Sequence, residues 1–98
     1  MTHQLVVAAP AESDIAQASE WYEEKSKGLG LEFLRAVDAC LMSIRRNPLA
    51  YPKVHKDIRR ALLRKFPFGT FYVVAGDQIA ILACFHVRRG PGTLHRRF

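Results

Sequence analysis

Residues 68–87 read FGTFYVVAGDQIAILACFHV. Two runs rich in β-branched and aromatic residues, Phe68–Ala75 and Gln78–Val87, flank the pair Gly76-Asp77. A two-residue Gly-Asp connection between such runs predicts a β-hairpin closed by a primed turn, whose twist matches that of the strands it joins. Upstream, Ile58–Phe66 is a third candidate strand, ended by Pro67, and Leu49–Lys56 is a loop containing Pro52. The C-terminal half is therefore read as strands.

The N-terminal half carries a different period. Gln4–Ala9 is a short β-favouring run, and Pro10 suits the first position of a helix, where its missing N–H costs nothing. Glu12 and Asp14 complement the positive end of the helix dipole. Ala11, Ile15, Ala18 and Tyr22 recur at spacings of four, three and four, which predicts one apolar face on a helix from about Ala11 to Ser26. Gly28 and Gly30 bracket a break. A second helix is predicted from about Leu31 to Arg46, with a main stripe of Leu34, Val37, Leu41 and Ile44 widened by Phe33 and Cys40. Arg45 and Arg46 favour its negative pole, and Asn47-Pro48 stops it.

The order is then β-α-α-β-β-β, an α+β fold in which a helical hairpin packs on one face of a mainly antiparallel sheet. The first strand joins that sheet either at an edge or beside the last strand. Ninety-eight residues suffice for one domain, 1–98, with no repeat or linker. A domain of this size buries roughly 60–65% of its surface. A partner covering apolar surface therefore adds to its stability.

With 49% hydrophobic and 24% charged residues the chain is neither disordered nor fibrous. Its net charge of +6 is unevenly placed. Residues 1–55 hold six Lys/Arg against seven Asp/Glu, and residues 56–98 hold nine Lys/Arg against two Asp. A basic half attracts nucleic acid, an anionic membrane or an acidic protein, unless it is simply a solvated face. Cys40 and Cys84 lie in apolar runs, too few for a disulfide framework and not in metal-ligand spacing, so they read as buried hydrophobes. There is no secretory signal pattern and no apolar stretch of the ~20 residues that span a bilayer. The expectation is a cytoplasmic protein with no metal, cofactor or membrane partner.

Alternation in Ile58–Phe66 puts Arg60, Leu62 and Arg64 on one face and Arg59, Ala61, Leu63 and Lys65 on the other. In the last strand Ala80, Leu82, Cys84, His86 and Arg88 are expected to share a face, followed by Arg89, Gly90 and Pro91. If those two strands are near neighbours, Arg60 or Arg64 joins His86 and Arg88 in one basic concavity. Such a site suits phosphate, because Arg binds it bidentately and a neutral His moves a proton. The plainer alternatives are that His86 hydrogen-bonds at a strand end and that Arg59, Arg60, Arg64 and Lys65 protect an edge strand from aggregation. His3, His55 and His95 carry no motif and read as surface residues, and Trp21 and Tyr22 read as helix-to-sheet packing groups. Gly28-Leu29-Gly30 joins two helices and lacks the strand–turn–helix context of a nucleotide loop.

Several short motifs, in this order, resemble the ParE/RelE-type toxins of bacterial type II toxin–antitoxin pairs. In the first half they are Asp14-Ile15, Trp21-Tyr22, Gly28-Leu29-Gly30 with Phe33-Leu34, Asn47-Pro48 and Tyr51-Pro52. In the second they are Ile58-Arg59-Arg60, Arg64-Lys65-Phe66-Pro67-Phe68, Tyr72-Val73-Val74 and His86-Val87-Arg88-Arg89 before Pro91. The resemblance covers about Leu5 to Arg96 and implies the same element order. It also implies a cytoplasmic growth inhibitor, serving plasmid stabilisation in some settings, held inactive by an acidic, partly disordered antitoxin that folds on binding.

Two branches of that superfamily differ in target. RelE-like members cut messenger RNA on the ribosome, and the residues here that match such chemistry are Arg60, Arg64, His86 and Arg88. ParE-like members poison DNA gyrase and are not hydrolases. This chain has Gly69 where RelE-like nucleases tend to have Arg, and Leu94 where they tend to have an aromatic group. Relatives of this subgroup often carry Trp at that tail position. The Trp-Tyr pair and the Phe-Pro-Phe turn look more like the ParE branch. The resemblance therefore favours gyrase poisoning over ribosome-dependent cleavage, with an inert antitoxin-binding module as a third class. In each case the contact residues for target or partner are Arg59, Arg60, Arg64, Lys65, Arg88, Arg89 and Arg96.

Overall fold

A computed structural model describes residues 3–98. In chain order it has β1 (Gln4–Val7), α1 (Ala9–Lys25), α2 (Leu29–Arg46), β2 (Lys53–His55), β3 (Ile58–Leu62), β4 (Phe68–Ala75), β5 (Gln78–His86), a 3₁₀ turn (Val87–Arg89) and α3 (Gly90–Arg97). The sheet order is β1-β5-β4-β3-β2. All neighbours are antiparallel except β1, which runs parallel to β5. The two options for β1 are both met: it is an edge strand, and its neighbour is the last strand. The predicted α+β fold is the observed one, with two additions, β2 and α3.

The β4–β5 hairpin organises the sheet. Ala75 pairs with Gln78, so Gly76-Asp77 is the whole connection, and Gly76 takes φ 62°. Asp77 keeps a negative φ, so the turn belongs to the primed class that needs the left-handed region at its first central residue. Phe68, Thr70, Tyr72 and Val74 face the helices, whereas Phe71 and Val73 face the other way.

Regular alternation breaks in β5. Phe71 pairs with Ala83 but Tyr72 pairs with Ile81, so Leu82 is an extra residue in the ladder. Such a bulge flips the faces on either side of it. Ile79 and Ile81 therefore share the helical face with Cys84, and Ala83 and Phe85 line the opposite face. The expectation that Ala80, Leu82 and Cys84 share a face is thus corrected by one inserted residue.

The main core lies between the hairpin α1–α2 and the sheet. Ala11, Phe33, Val37, Cys40 and Ile44 meet Ala61, Leu63, Phe66, Tyr72, Ile79, Ile81 and Cys84 there. Burial of a side chain such as Phe33 stabilises by about 2–3 kcal/mol, and an aromatic cluster with Tyr22, Phe66 and Phe68 surrounds that ring. The α1 stripe Ala11, Ile15, Ala18, Tyr22 packs as the spacing predicted. On α2 the buried line is Phe33, Val37, Cys40, Ile44, and Leu34 is 40% exposed, so the stripe is centred about one residue from where the leucines placed it. A smaller core on the far face gathers Ile58, Phe71, Ala83 and Phe85 under Leu94 of α3.

Where the chain turns between α1 and α2, Glu23 accepts the N–H of Gly28 and of Gly30. This satisfies donors that the start of a helix leaves open. Gly30 has no room for a side chain, because a Cβ there would lie 2.7 Å from the Ser19 carbonyl oxygen.

Candidate functional site

The basic residues of the C-terminal half do not converge; they divide among distinct surroundings. The Arg59 guanidinium is an internal tie, donating to the carbonyls of Leu49 at 3.2 Å and Tyr51 at 2.6 Å. It stitches the loop after α2 onto β3, beside Tyr72, whose hydroxyl donates to the Pro48 carbonyl at 2.6 Å. Burial pushes the Tyr72 phenol up to about 12, against the opposing effect of Arg59.

Arg60 pairs with Phe71 and so lies on the face away from the helices. A Cβ at Gly69 would stand 3.2 Å from its Cγ and Cδ, so the absence of a side chain at Gly69 lets the Arg60 stem lie flat on β4. Arg64 and Lys65 lie beyond the end of β3, exposed, on the same side as α2. The predicted strand stops at Leu62 because Lys65 takes φ 70° in the turn that returns the chain to Phe68.

His86 ends β5 and turns toward α1, with its ring 5.5 Å from that of Phe68. Its Nδ1 accepts the Arg88 N–H at 3.0 Å, so a neutral ring carries its proton on Nε2. Arg88 is exposed, the Arg89 guanidinium lies 5.9 Å over the Phe85 ring, and Arg96 is exposed on α3. The strands β3 and β5 are separated by β4, and Arg60 and His86 occupy opposite faces. The condition for one concavity of Arg60 or Arg64 with His86 and Arg88, strand neighbourhood, is not met.

Two surfaces result from this division. The first is a cleft of about 420 Å³ at the free edge of β5. β1 covers β5 only as far as Ile81, whose carbonyl takes the Ala8 N–H. Beyond it, α1 leans over the edge, and Asp14 accepts the Cys84 N–H at 3.0 Å. The same carboxylate receives both Arg97 nitrogens, at 2.8 and 3.3 Å, which pins the end of α3. Trp21, Tyr22, Phe68, Gln17, His86 and Arg89 line the remainder. Trp21 is 54% exposed, with the Lys25 ammonium 4.8 Å from its ring centre, so the packing role expected of both aromatics belongs to Tyr22 alone.

The second surface is a groove between α2 and the β3–β4 connection. One part, of about 420 Å³, is lined by Ala36, Ala39, Met42, Arg46, Leu62 and Arg64 among others. An adjoining part, of about 290 Å³, adds Arg35 and Lys65 and shares Ala36 and Arg64 with the first. None of Arg35, Arg46, Arg64 and Lys65 has a salt bridge among the described residues.

Nothing in the residue pattern signalled the Asp14–Arg97 pair, because its members are far apart in sequence and Asp14 is already explained by the helix start. Nor did any motif mark His55 and His95, whose rings lie 4.2 Å apart. The cysteines do behave as buried groups. Thr70 bridges them, at 3.7 Å to Cys40 and 4.0 Å to Cys84, and burial raises both thiols, Cys84 to about 12. Neither is poised as a nucleophile at neutral pH. Among the described residues no group of three or more His, Cys, Asp or Glu is placed to hold a metal ion, and no helix is long and apolar enough to cross a membrane.

No protein-family model matches the sequence, and no curated protein matches it significantly. Solved structures do. A chain from the chromosomal ParDE toxin–antitoxin system of P. aeruginosa superposes with a TM-score of 0.66 at 20% identity, over 88% of this chain and 97% of that one. A chain of the toxin–antitoxin complex RelBE2 from Mycobacterium tuberculosis does so with a TM-score of 0.62 at 13% identity, over 88% and 99%. At these identities the likeness establishes a shared fold.

Proposed function

We propose that this chain is the toxin component of a type II toxin–antitoxin pair, that it arrests growth by poisoning DNA gyrase, and that an acidic antitoxin neutralises it. The observation that carries the reading is the likeness of fold, over 88% of this chain, to a chain of a ParDE system, 20% identical. The motif order from Asp14 to Arg89 agrees with it.

The division of the basic residues favours the gyrase target over RNA cleavage. Cutting RNA needs a proton-transfer group and cationic stabilisation of the phosphorane around one phosphate. Here Arg60 lies across the sheet from His86, and Arg64 lies beyond β3 on the α2 side. A RelBE2 chain shares the fold, so ribosome-dependent cleavage is the second reading. Under it, His86→Ala or Arg88→Ala abolishes cleavage and leaves the fold intact.

The test is induced expression without a partner, followed by a gyrase assay. Growth arrest with accumulation of gyrase–DNA cleavage complexes supports the proposal. Arrest with intact gyrase and messenger RNA cut in the ribosomal A site replaces it with the nuclease reading. Harmless expression removes toxicity altogether and leaves a partner-binding module.

A further inference from the structure

We propose that the outer edge of β1 is a self-docking surface, on which a second copy of this chain pairs antiparallel about a two-fold axis through Val6. The hydrogen bonds of the strand define which of its groups stay open. The Gln4 N–H goes to the Asp77 carbonyl at 2.8 Å and the Ala8 N–H to the Ile81 carbonyl at 2.9 Å. In this parallel ladder Gln4, Val6 and Ala8 therefore turn their backbone groups toward β5, and Leu5 and Val7 turn theirs outward. No strand meets that outer side among the described residues. The opposite edge of the sheet is blunted, because β2 is three residues long, shifts register between Lys53 and His55, and carries Lys53 itself. β1 reads QLVV and has no charge, proline or bulge to discourage pairing.

Symmetry selects the occupant. A second β1 laid antiparallel matches Leu5 with Val7 of the partner subunit and Val7 with Leu5 of the partner subunit, each pair exchanging both hydrogen bonds. Val6 then meets its own copy on the axis. Leu5 and Val7 pack toward the helices, so Val6 lies on the other face of the sheet, where it is 42% exposed. In the same register Gln4 stands opposite Ala8 of the partner subunit. Arg45, whose Nε donates to the His3 carbonyl at 3.0 Å, is thereby brought beside the first turn of the second copy's α1, which carries Glu12. Both side chains are exposed, and neither has a salt bridge among the described residues. The axis makes that contact on both sides. Against the end of β1 lies a shallow trough of about 540 Å³ between α1 and α2, with Val7, Ile15, Ala16 and Leu34 in its walls. The helical hairpin of a second copy covers it. An unrelated strand would satisfy the outward backbone groups but would not supply the match of Arg45 to Glu12.

The inference goes beyond the proposed function and rests on no part of it. The test is sedimentation equilibrium of the purified full chain over a range of concentrations. A reversible monomer–dimer equilibrium that stops at the dimer is expected, because a two-fold contact closes on itself. Val6→Lys places two ammonium groups on the axis, and Val7→Pro removes an outward N–H without touching the bonds to β5. Each is expected to weaken association at least tenfold. Val54→Lys, at the other edge of the sheet, is expected to leave it within twofold. Arg45→Glu and Glu12→Arg should each weaken the dimer, and the two together should restore it. Register is read separately. Residues opposed on the axis without mutual hydrogen bonds have Cα atoms about 4.5 Å apart, within disulfide range. Val6→Cys is therefore expected to link two chains with oxidised glutathione, and Gln4→Cys is not. Circular dichroism checks each variant, and the charge swap at two exposed positions serves if an edge substitution fails to fold.

Monomers alone up to about 0.5 mM overturn the proposal. So does a dimer that survives both Val6→Lys and Val7→Pro, which would put the contact on another surface. Growth past the dimer, or linkage through Gln4→Cys in place of Val6→Cys, would exclude the two-fold register.

Discussion

The carboxylate of Asp14 collects three N–H groups from distant parts of the chain, one from the Cys84 backbone and two from the Arg97 guanidinium. Its side chain is 14% exposed and that of Arg97 27%, so solvent screens the pair only in part. Asp14→Ala leaves a backbone donor and a half-covered cation without partners. It is expected to destabilise by about 2–3 kcal/mol, and Arg97→Gln by about 1 kcal/mol, as read from urea unfolding. Tyr72 makes a second prediction at this scale. Tyr72→Phe removes the donor to Pro48 and should cost about 1–2 kcal/mol. The folded phenol is raised from 10 to about 12, so its contribution is complete below pH 10 and is lost as pH rises through 12. Burial raises Tyr22 as well, so tyrosinate absorbance should show more than one late tyrosine, and the phenylalanine variant should lack the step near pH 12. Single residues were the least legible layer of the sequence. Residue type marked Asp14, Arg59 and His86, but only the tertiary fold decides that Arg59 is spent on loop carbonyls or that Arg97 answers Asp14 across 83 positions.

At the scale of elements, periodicity carried most of the information. The stripe on α1 and the two-residue connection at Gly76-Asp77 follow from local physics, and both stand as read. Three features escaped for identifiable reasons. β2 is three residues long, too short for alternation to register. The bulge at Leu82 sits inside an unbroken apolar run, where a reversal of faces leaves no compositional trace. α3 contains two glycines and a proline, a composition that reads as loop; burial of Leu94 supplies what propensity lacks. The tight crossing of α1 and α2 gives the third prediction. Gly30→Ala places a methyl 2.7 Å from the Ser19 carbonyl oxygen, a backbone atom that cannot swing aside. Despite the better helix propensity of Ala, the variant should lose about 1–3 kcal/mol, seen as a lower thermal midpoint with unchanged helical circular dichroism at low temperature. An equal or higher midpoint would mean that the helices part there without cost.

Across the whole molecule, linear charge and spatial charge are different quantities. The last 43 residues hold the entire positive excess, yet folding spreads it over an internal tie, both faces of the sheet and the α2 groove. What unites the far face is α3, which lays Leu94 on Phe71 and Phe85 and anchors at three other points. Two of them are Arg97 on Asp14 and the Lys56 ammonium on the Phe98 carbonyl at 2.9 Å. The third is the edge-on contact of His95 with His55, whose Nε2 is buried without a hydrogen-bond partner among the described residues. Burial of that ring, then His95, then Lys56 hold His55 below its ordinary value of 6.5. A depressed histidine favours folding in its neutral form. Its contribution is therefore complete above pH 6.5 and is lost as pH falls through the lower, folded value. The element that should respond is α3, because the charge gained by His55 would appear at the contact of α3 with β2. Amide exchange in 90–97, corrected for intrinsic rates, should be faster at pH 5 than at pH 8 relative to β4 and β5, and His55→Phe should erase that difference. Equal protection of α3 at both pH values, or the same acid sensitivity in His55→Phe, would show that the histidine pair plays no part in seating the helix.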